Sequence, residues 1–500
     1  MQIKDHYKEG ILFSNRIIVS IILILIAVSV LIFRLVHLQI IDHDHFTTLS
    51  KDNRVKIVPL PPRRGSIYDR QGIPLAINRP AYNLEMIPED VKDIEKSLKK
   101  LNSLINISKN DLERFYRLKK NKRLFESIPI KTNLTINEAS IFSANKYKFP
   151  GIGIKARLKR HYPYAEETAH VLGYVGRISK ADLQKINLSH YAGTAYIGKT
   201  GAEKSYESIL LGEVGRQQVE VNSIGRIART LEKKEPRSGE DLYLHLDIEL
   251  QKTALNALGK NNGAIVAIDP NNGGILAIVS QPGFNPNEFV EGISEKKYNE
   301  LKKNNDRPLF NRALNGQYPP GSTVKPFIGL AGLEMKKVTS DTSHFCPGFF
   351  QLPGNEHRYR DWKRIGHGDT TLQKAISQSC DVFYYQLALD LGIDELSNFL
   401  KKFGFGEKSG IDLIGESKGI LPSRKWKEKQ KKEPWYPGET VIMGIGQGYY
   451  LSTPLQLAIA TAAIANGGKY FTPRLVDFLK THKEEDHRSI PPASSTILIE

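Results

Sequence analysis

Apolar and polar positions divide this chain into stretches of different period. Ile17 to Phe33 carries no charge and is bracketed by Arg16 and Arg34, an apolar run just long enough to cross a bilayer core. It exceeds the roughly 7 to 15 apolar residues of a secretory signal, and no small-x-small cleavage site follows, so an uncleaved membrane anchor is expected. Asn53 to Asn78 alternates short extended pieces with prolines and glycines, which is strand-and-turn territory. From Glu89 to about Lys148 the residues turn polar and helical, with Leu98, Leu101, Leu104 and Ile105 at helical spacing. The texture changes near residue 240. Asp241 to Asp247 (DLYLHLD) alternates like a strand, and Ile248 to Leu258 reads as an amphipathic helix. Ala264 to Ile268 and Ile275 to Val279 flank Asp269-Pro270-Asn271-Asn272-Gly273-Gly274, a hairpin signal. Apolar helical stretches follow at Leu372 to Leu391 and Leu455 to Ala465. They suit a helical layer against a sheet, a mixed α/β domain.

Composition narrows the class. Over 500 residues, 40% are hydrophobic and 25% charged, values of a globular chain rather than a disordered one. The formal charge of +17 points to an anionic partner. Lys4, Lys8 and Arg16 precede the apolar run and Asp42 and Asp44 follow it, a bias toward a cytoplasmic N-terminus with the remainder exported. Export excludes nucleic acid and leaves lipid headgroups or an anionic wall polymer.

The candidate chemistry centres on Pro319-Pro320-Gly321-Ser322-Thr323-Val324-Lys325-Pro326. On a helix, Ser322 and Lys325 would share a face one turn apart, so that the amine can take the hydroxyl proton. Pro326 disfavours α geometry at Lys325, though a proline in a first turn sacrifices little. Ser-x-x-Lys also occurs at Ser97/Lys100, Ser143/Lys146 and Ser294/Lys297, but only Ser322 leads into an apolar helix. Hydrolases of this kind add a Ser-x-Asn pair and a Lys-Thr-Gly strand. Ser379-Cys380-Asp381 fits the pair with Asp for Asn. A carboxylate there would hold Lys325 in place while favouring its charged form, and Ser379 could relay the proton to the leaving group. Lys199-Thr200-Gly201 lies in the wrong region, and Lys408-Ser409-Gly410 reads as a loop. The third element is expected after Gly446-Gln447-Gly448, and the sequence reaches Glu500 without it. His161 and His170 read as structural.

Together PPRRGSIYDRQG (61–72), the segment 160–176, GKTGAEKSYE (198–207), VNSIGR (221–226), PPGSTVKPF, RDWKRIGHG (360–368), SCD and GIGQG (444–448) resemble the class B penicillin-binding proteins, most of all the penicillin-binding protein 2 group of the rod-elongation system. The resemblance covers essentially the whole chain. It implies a cytoplasmic tail (1–16), a transmembrane helix (17–36), an elongated α+β non-catalytic pedestal or dimerisation region (37–240) and a periplasmic transpeptidase domain of the penicillin-recognising fold (241–500) lacking its C-terminal part. It implies a D,D-transpeptidase of the inner membrane acting on peptidoglycan stem peptides during elongation and acylated by β-lactams. The implied roles are Ser322 as nucleophile, Lys325 as base, Ser379 as proton relay and Asp381 as the group orienting Lys325, with backbone N–H groups, that of Ser322 among them, holding the oxyanion. The implied partners are a SEDS-type glycan polymerase and the elongation scaffold. A D,D-carboxypeptidase, a β-lactamase and a membrane-anchored scaffold with an inactive catalytic domain are the rival readings. The anchor and pedestal argue against the β-lactamase.

Cys346 and Cys380 are the only cysteines. A disulfide is the default in an exported protein, but Asp361 and His367 lie between them, and two thiolates, an imidazole and a carboxylate make a tetrahedral zinc set. The resemblance implies a structural zinc held through carboxylates, a histidine and a cysteine, with Cys346 of this chain standing at a carboxylate position. If Ser379 and Asp381 face the cleft, Cys380 faces away toward the metal.

Overall fold

The computed structural model describes residues 6–42, 55–122, 124–222, 227–481, 487–489 and 494–498. Residues 223–226 of the VNSIGR motif lie outside them. The chain forms two compact units, one of Met1–Pro61 with Val214–Pro236 and one of Pro62–Glu213 with Arg237–Glu500.

In the first unit the apolar run lies within a helix, His6–Val36, extended by a π-helical turn, His37–Ile41. The stretch Asn15–Ile41 is 27 residues long and none of its most apolar window is buried by protein. At about 1.5 Å per residue it exceeds a hydrocarbon core of about 30 Å, and a helix apolar on every side needs lipid or protein around it. Among the described residues it is the one helix long and apolar enough to cross a membrane. The same unit holds an antiparallel sheet in which Gly215–Val221 pairs with Val55–Leu60 and with Ile227–Lys234. Val219 and Val221 are buried, the two-residue period of a half-covered strand.

The second unit is built on a seven-stranded sheet in the order His487–Ser489, Val476–Lys480, Asp241–Leu244, Ile67–Tyr68, Pro74–Met86, Ile128–Leu134, with Ile152–His161 also pairing with Pro74–Met86. The alternation of DLYLHLD has its counterpart in Leu242, Leu244 and Leu246, all fully buried. Tyr68, Tyr243 and Phe478 stack in a row across three strands, with centroids 4.9 and 4.5 Å apart. Asp247 caps the helix Ile248–Leu258 by accepting from the N–H groups of Glu249 and Leu250. The expected hairpin pairs Gly263–Ile268 with Ile275–Gln281, and the helix Pro454–Ala465 packs against it.

Two expected helical stretches are interrupted. Within 89–148 the strand Ile128–Leu134 separates two helices with complete capping boxes, Lys109–Asn121 behind Ser108 and Ile136–Asn145 behind Thr135. It forms because Ile128 and Ile130 alternate into the small core of Leu98, Leu101, Ile105 and Phe115. The stretch 372–391 is two helices, Leu372–Ser377 and Asp381–Leu391, broken where Ser379-Cys380 sits.

Three of the motif stretches meet at one buried ion cluster. Glu203, fully buried, accepts from Arg160 Nε at 2.6 Å, Arg64 Nε at 2.7 Å and the Tyr162 hydroxyl at 3.1 Å. Arg64 also binds Glu207 at 2.6 Å, and Arg160 binds the Gly65 carbonyl at 2.7 Å. Burial acts to raise the Glu203 pKa, but Arg160 and Arg64 outweigh it and hold the group below the usual carboxylate range. A group depressed on folding adds stability above its unfolded pKa of about 4.3, and that stability is lost as pH falls through the folded value. Glu203→Gln is expected to cost roughly 3–5 kcal/mol at pH 7, because it leaves the buried Arg160 guanidinium without a carboxylate and Arg64 with Glu207 alone. The difference from wild type should shrink below about pH 4. Urea unfolding of both proteins at the two pH values checks this, and equal stability at pH 7 would contradict it.

Candidate active site

Pro320 is helical and Gly321 has φ +58°, so the chain turns into a short 3-10 segment, Gly321–Val324, that runs into the helix Lys325–Glu334. Residues three apart eclipse in a 3-10 turn, which sets Ser322 and Lys325 on one side. Lys325 is helical (φ −55°, ψ −41°) despite the proline after it. Pro326 falls in the first turn, where no intrahelical N–H is lost, and burial of Val324, Lys325, Phe327 and Ile328 fixes the segment. Ser322 stays exposed. The GIGQG stretch backs this turn. The Gly321 N–H donates to the Gly446 carbonyl at 2.9 Å. Gly446 has φ +70°, and a Cβ there would lie 2.3 Å from the Gly321 oxygen, so only glycine fits.

Ser379 sits in the break between the two helices with φ +54°, a left-handed backbone uncommon for serine. The Cys380 N–H is anchored to the Ala375 carbonyl at 3.0 Å. This turn aims the Ser379 hydroxyl at both other groups: Ser379 Oγ donates to Ser322 Oγ at 2.9 Å and accepts from Lys325 Nζ at 3.0 Å. Lys325 Nζ also donates to the Ser379 carbonyl at 2.9 Å and to Asp381 Oδ1 at 2.6 Å. Its ammonium has three protons, and all three are matched, with the Tyr384 ring centroid 5.4 Å away. The Ser-x-x-Lys spacing predicts that Ser322 and Lys325 share one face, within reach of a proton transfer. In the structure the hydrogen-bonded path runs from Ser322 through Ser379 to Lys325.

Behind this motif lie the four metal-type residues, all buried, with ligand atoms within 4.8 Å of one another. Register pairs Cys346 with Gly368, the neighbour of His367. Cys346 Sγ is 3.6 Å from both Asp361 Oδ2 and His367 Nδ1, and Cys380 Sγ is 3.4 Å from Asp361 Oδ2. Both cysteines are free. The edge of a tetrahedron whose ligands lie about 2.0–2.3 Å from its centre is roughly 3.3–3.8 Å, so the donor types and these three spacings suit a tetrahedral cation. Asp361 Oδ2 also accepts the N–H groups of Asp381 and Val382 at 2.8 and 3.2 Å, tying the cluster to the start of the Asp381–Leu391 helix. Burial acts to raise the Asp361 pKa, but N–H groups of Lys363, Val382 and Asp381 outweigh it and keep the carboxylate low. Burial pushes the Cys380 thiol up to about 12, which a bound cation would reverse.

The remaining candidates lie elsewhere. Lys199-Thr200-Gly201 precedes a short helix, Gly201–Ser205, and Lys408-Ser409-Gly410 is a loop whose Ser409 N–H donates to Glu416. Burial lowers the pKa of His170 to about 4, and its ring bonds the Pro282 carbonyl. Trp362 gave no signal of a role in sequence, yet its backbone N–H donates to Asp381 Oδ2 at 3.2 Å and its indole to the Gln378 carbonyl at 3.1 Å, bracing the same turn.

Residues 263–498 match the penicillin-binding protein transpeptidase domain family and residues 59–244 the penicillin-binding protein dimerisation domain family. The peptidoglycan D,D-transpeptidase MrdA of Escherichia coli strain K12 is 43% identical over 492 residues, covering 98% of this chain and 77% of that protein. Penicillin-binding protein 2 of Helicobacter pylori, solved in complex with MreC, superposes with a TM-score of 0.75 at 36% identity, over 87% of this chain and 81% of that one. A chain of a peptidoglycan synthase complex that coordinates polymerization and crosslinking gives a TM-score of 0.69 at 30% identity, over 96% of this chain and 82% of that one.

Proposed function

The chain belongs to the class B penicillin-binding proteins of the penicillin-binding protein 2 group, the serine-type peptidoglycan D,D-transpeptidases that cross-link stem peptides in cell elongation, and on that premise we propose the roles of its site residues. Ser322 Oγ attacks the carbonyl of the penultimate D-Ala. Its proton passes through the Ser379 hydroxyl to Lys325. A neutral amine keeps two N–H bonds, to the Ser379 carbonyl and Asp381, and turns its lone pair to Ser379 Oγ. The hydroxyls then donate in the order Ser322 to Ser379 to Lys325. Asp381 faces the ammonium that forms, as a triad carboxylate faces its imidazolium. The Ser322 N–H lies in the first turn of its 3-10 segment, where amides have no intrahelical partner, and holds the oxyanion. Collapse expels D-Ala, which takes the proton back along the same path, and an amine of a neighbouring strand accepts the acyl group. A β-lactam opens on Ser322 by the same steps.

The observation that carries this reading is the unbroken contact from Ser322 Oγ through Ser379 Oγ to Lys325 Nζ and Asp381. The test is the position of the penicilloyl group. Digestion and mass spectrometry of labelled protein should place the added mass on the peptide containing Ser322, and an adduct on the peptide containing Ser379 would reverse the two serines.

Cys346, Asp361, His367 and Cys380 would hold a structural zinc. The ion would fix the residues on either side of Cys380 and would take no part in bond making. The charge bias around the helix supports a cytoplasmic N-terminus and a periplasmic catalytic domain. The likeness to chains solved with MreC and in a synthase complex supports an elongation scaffold and a SEDS-type glycan polymerase as partners.

A further inference from the structure

We propose that Lys427 is a positioning residue for acylation, holding both flanks of the turn that backs the nucleophile. The helix Arg424–Lys431 is strongly basic and mostly exposed, yet the Lys427 side chain is 1% exposed. Its ammonium hydrogen-bonds Glu439, lies 3.6 Å from Glu433, and sits 4.4 Å from the ring centroid of Tyr436 and 5.9 Å from that of Tyr449. Trp426 covers the same Tyr449 ring at 5.3 Å. Burying an ammonium is costly unless acceptors and aromatic faces surround it, so these contacts fix where each partner lies.

Those partners are the two ends of one segment. Glu439 opens the helix Pro437–Met443, where it also accepts the Tyr436 N–H at 2.8 Å. That helix runs into Gly444 and Gly446, and Gly446 touches Gly321, the residue before Ser322. Tyr449 follows directly on Gly448. Beyond it, Ser452 and Tyr318 exchange backbone hydrogen bonds at 2.9 and 3.0 Å. Lys427 therefore clamps the entry and exit of 444–449, and a shift of this turn is transmitted to Gly321 through the 2.9 Å backbone hydrogen bond from the Gly321 N–H to the Gly446 carbonyl. Misplacing a reacting atom by about 1 Å can cost on the order of a hundredfold in rate.

The proposal rests on Ser322 being the nucleophile. The test is saturable acylation of the full-length protein by a fluorescent penicillin, resolved into the acylation rate constant and the apparent dissociation constant, with Ser322→Ala alongside. Lys427→Met is expected to lower the rate constant about tenfold or more, with the dissociation constant and the fraction of titratable sites near wild type. Lys427→Arg should restore most of the rate, since it keeps a cation in the aromatic cage. Tyr449→Leu, which loosens only the exit of the turn, should slow acylation as Lys427→Met does, and it decides the matter if Lys427→Met does not fold. A wild-type rate constant in Lys427→Met or Tyr449→Leu, no rescue by arginine, or fewer active sites at unchanged rate would overturn the proposal. Labelling retained by Ser322→Ala would instead remove the assignment beneath it.

Discussion

Replacing Ser322 by alanine is expected to abolish covalent labelling by penicillin, and replacing Lys325 by methionine to slow it by roughly a hundred- to ten-thousandfold, the usual contribution of a positioned base. The two losses differ in kind. Without Ser322 Oγ there is no atom to form the ester, so labelling should be absent at any time and concentration. Without Lys325 Nζ the ester can still form, but the proton has nowhere to go except solvent, and the partners left behind are a hydroxyl, a carbonyl and the Asp381 carboxylate within 3.0 Å of the vacated amine position. Ser379→Ala removes the middle of the path. Its effect should be no larger than that of Lys325→Met if a water can bridge Ser322 and Lys325. Single-turnover labelling followed by gel fluorescence reads all three. Because residues acting as one unit are strongly non-additive, Ser379→Ala combined with Lys325→Met should be little slower than Lys325→Met alone. A multiplicative loss would mean that the two side chains act independently.

The second large effect concerns the four residues behind Ser379. Purified protein is expected to contain one zinc per chain and, after denaturation, to expose both thiols to titration. Absence of zinc together with absence of free thiols would mean a disulfide and end the zinc reading. Removing the ion with a chelator should lower acylation about 10- to 100-fold, the range seen when groups supporting a site are lost, and should lower the melting temperature as well, since binding energy at such sites is folding energy. The route is short. Asp361 Oδ2, 3.4 and 3.6 Å from the two sulfurs, also receives the N–H groups that start the Asp381–Leu391 helix. If the cluster relaxes, Asp381 and Ser379 move with it. Readdition of zinc should restore both quantities.

What could be read before folding follows from how local the cause was. The strand and helix at 241–258 were legible because their burial repeats at the period of the element itself. The metal-type cluster was legible because four residues of one chemical class fall within a short span that would otherwise lack a reason to be polar. Ser379 was legible as the first residue of a Ser-x-Asp pair, but its position between Ser322 and Lys325 was not. That position depends on a left-handed backbone at a helix break, and the apolar pattern of 372–391 runs through the break unchanged. Lys427 was hidden in a run of lysines. Its burial against Glu439 and the Tyr436 ring distinguishes it from its exposed neighbours, and a run of like residues conceals it. Glu203 was noticed as part of a motif and not as the acceptor of two guanidinium groups, since its partners lie 43 and 139 residues away.

The order of strands in the large sheet governs when the protein can finish folding. Ile67–Tyr68 pairs in parallel with Asp241–Leu244, and the Ser66 N–H is held by Asp241 Oδ1 at 2.6 Å. The far edge of Asp241–Leu244 is covered by Val476–Lys480. A chain synthesised from its N-terminus therefore makes Ile67–Tyr68 long before its first long-range neighbour exists, and that neighbour waits again for Val476–Lys480. Pairings so distant in sequence close slowly, and an uncovered strand edge invites association with other chains in the meantime. The nascent protein carries an open sheet edge until residues 476–480 are made, so its yield in a cell should depend on what shields that edge.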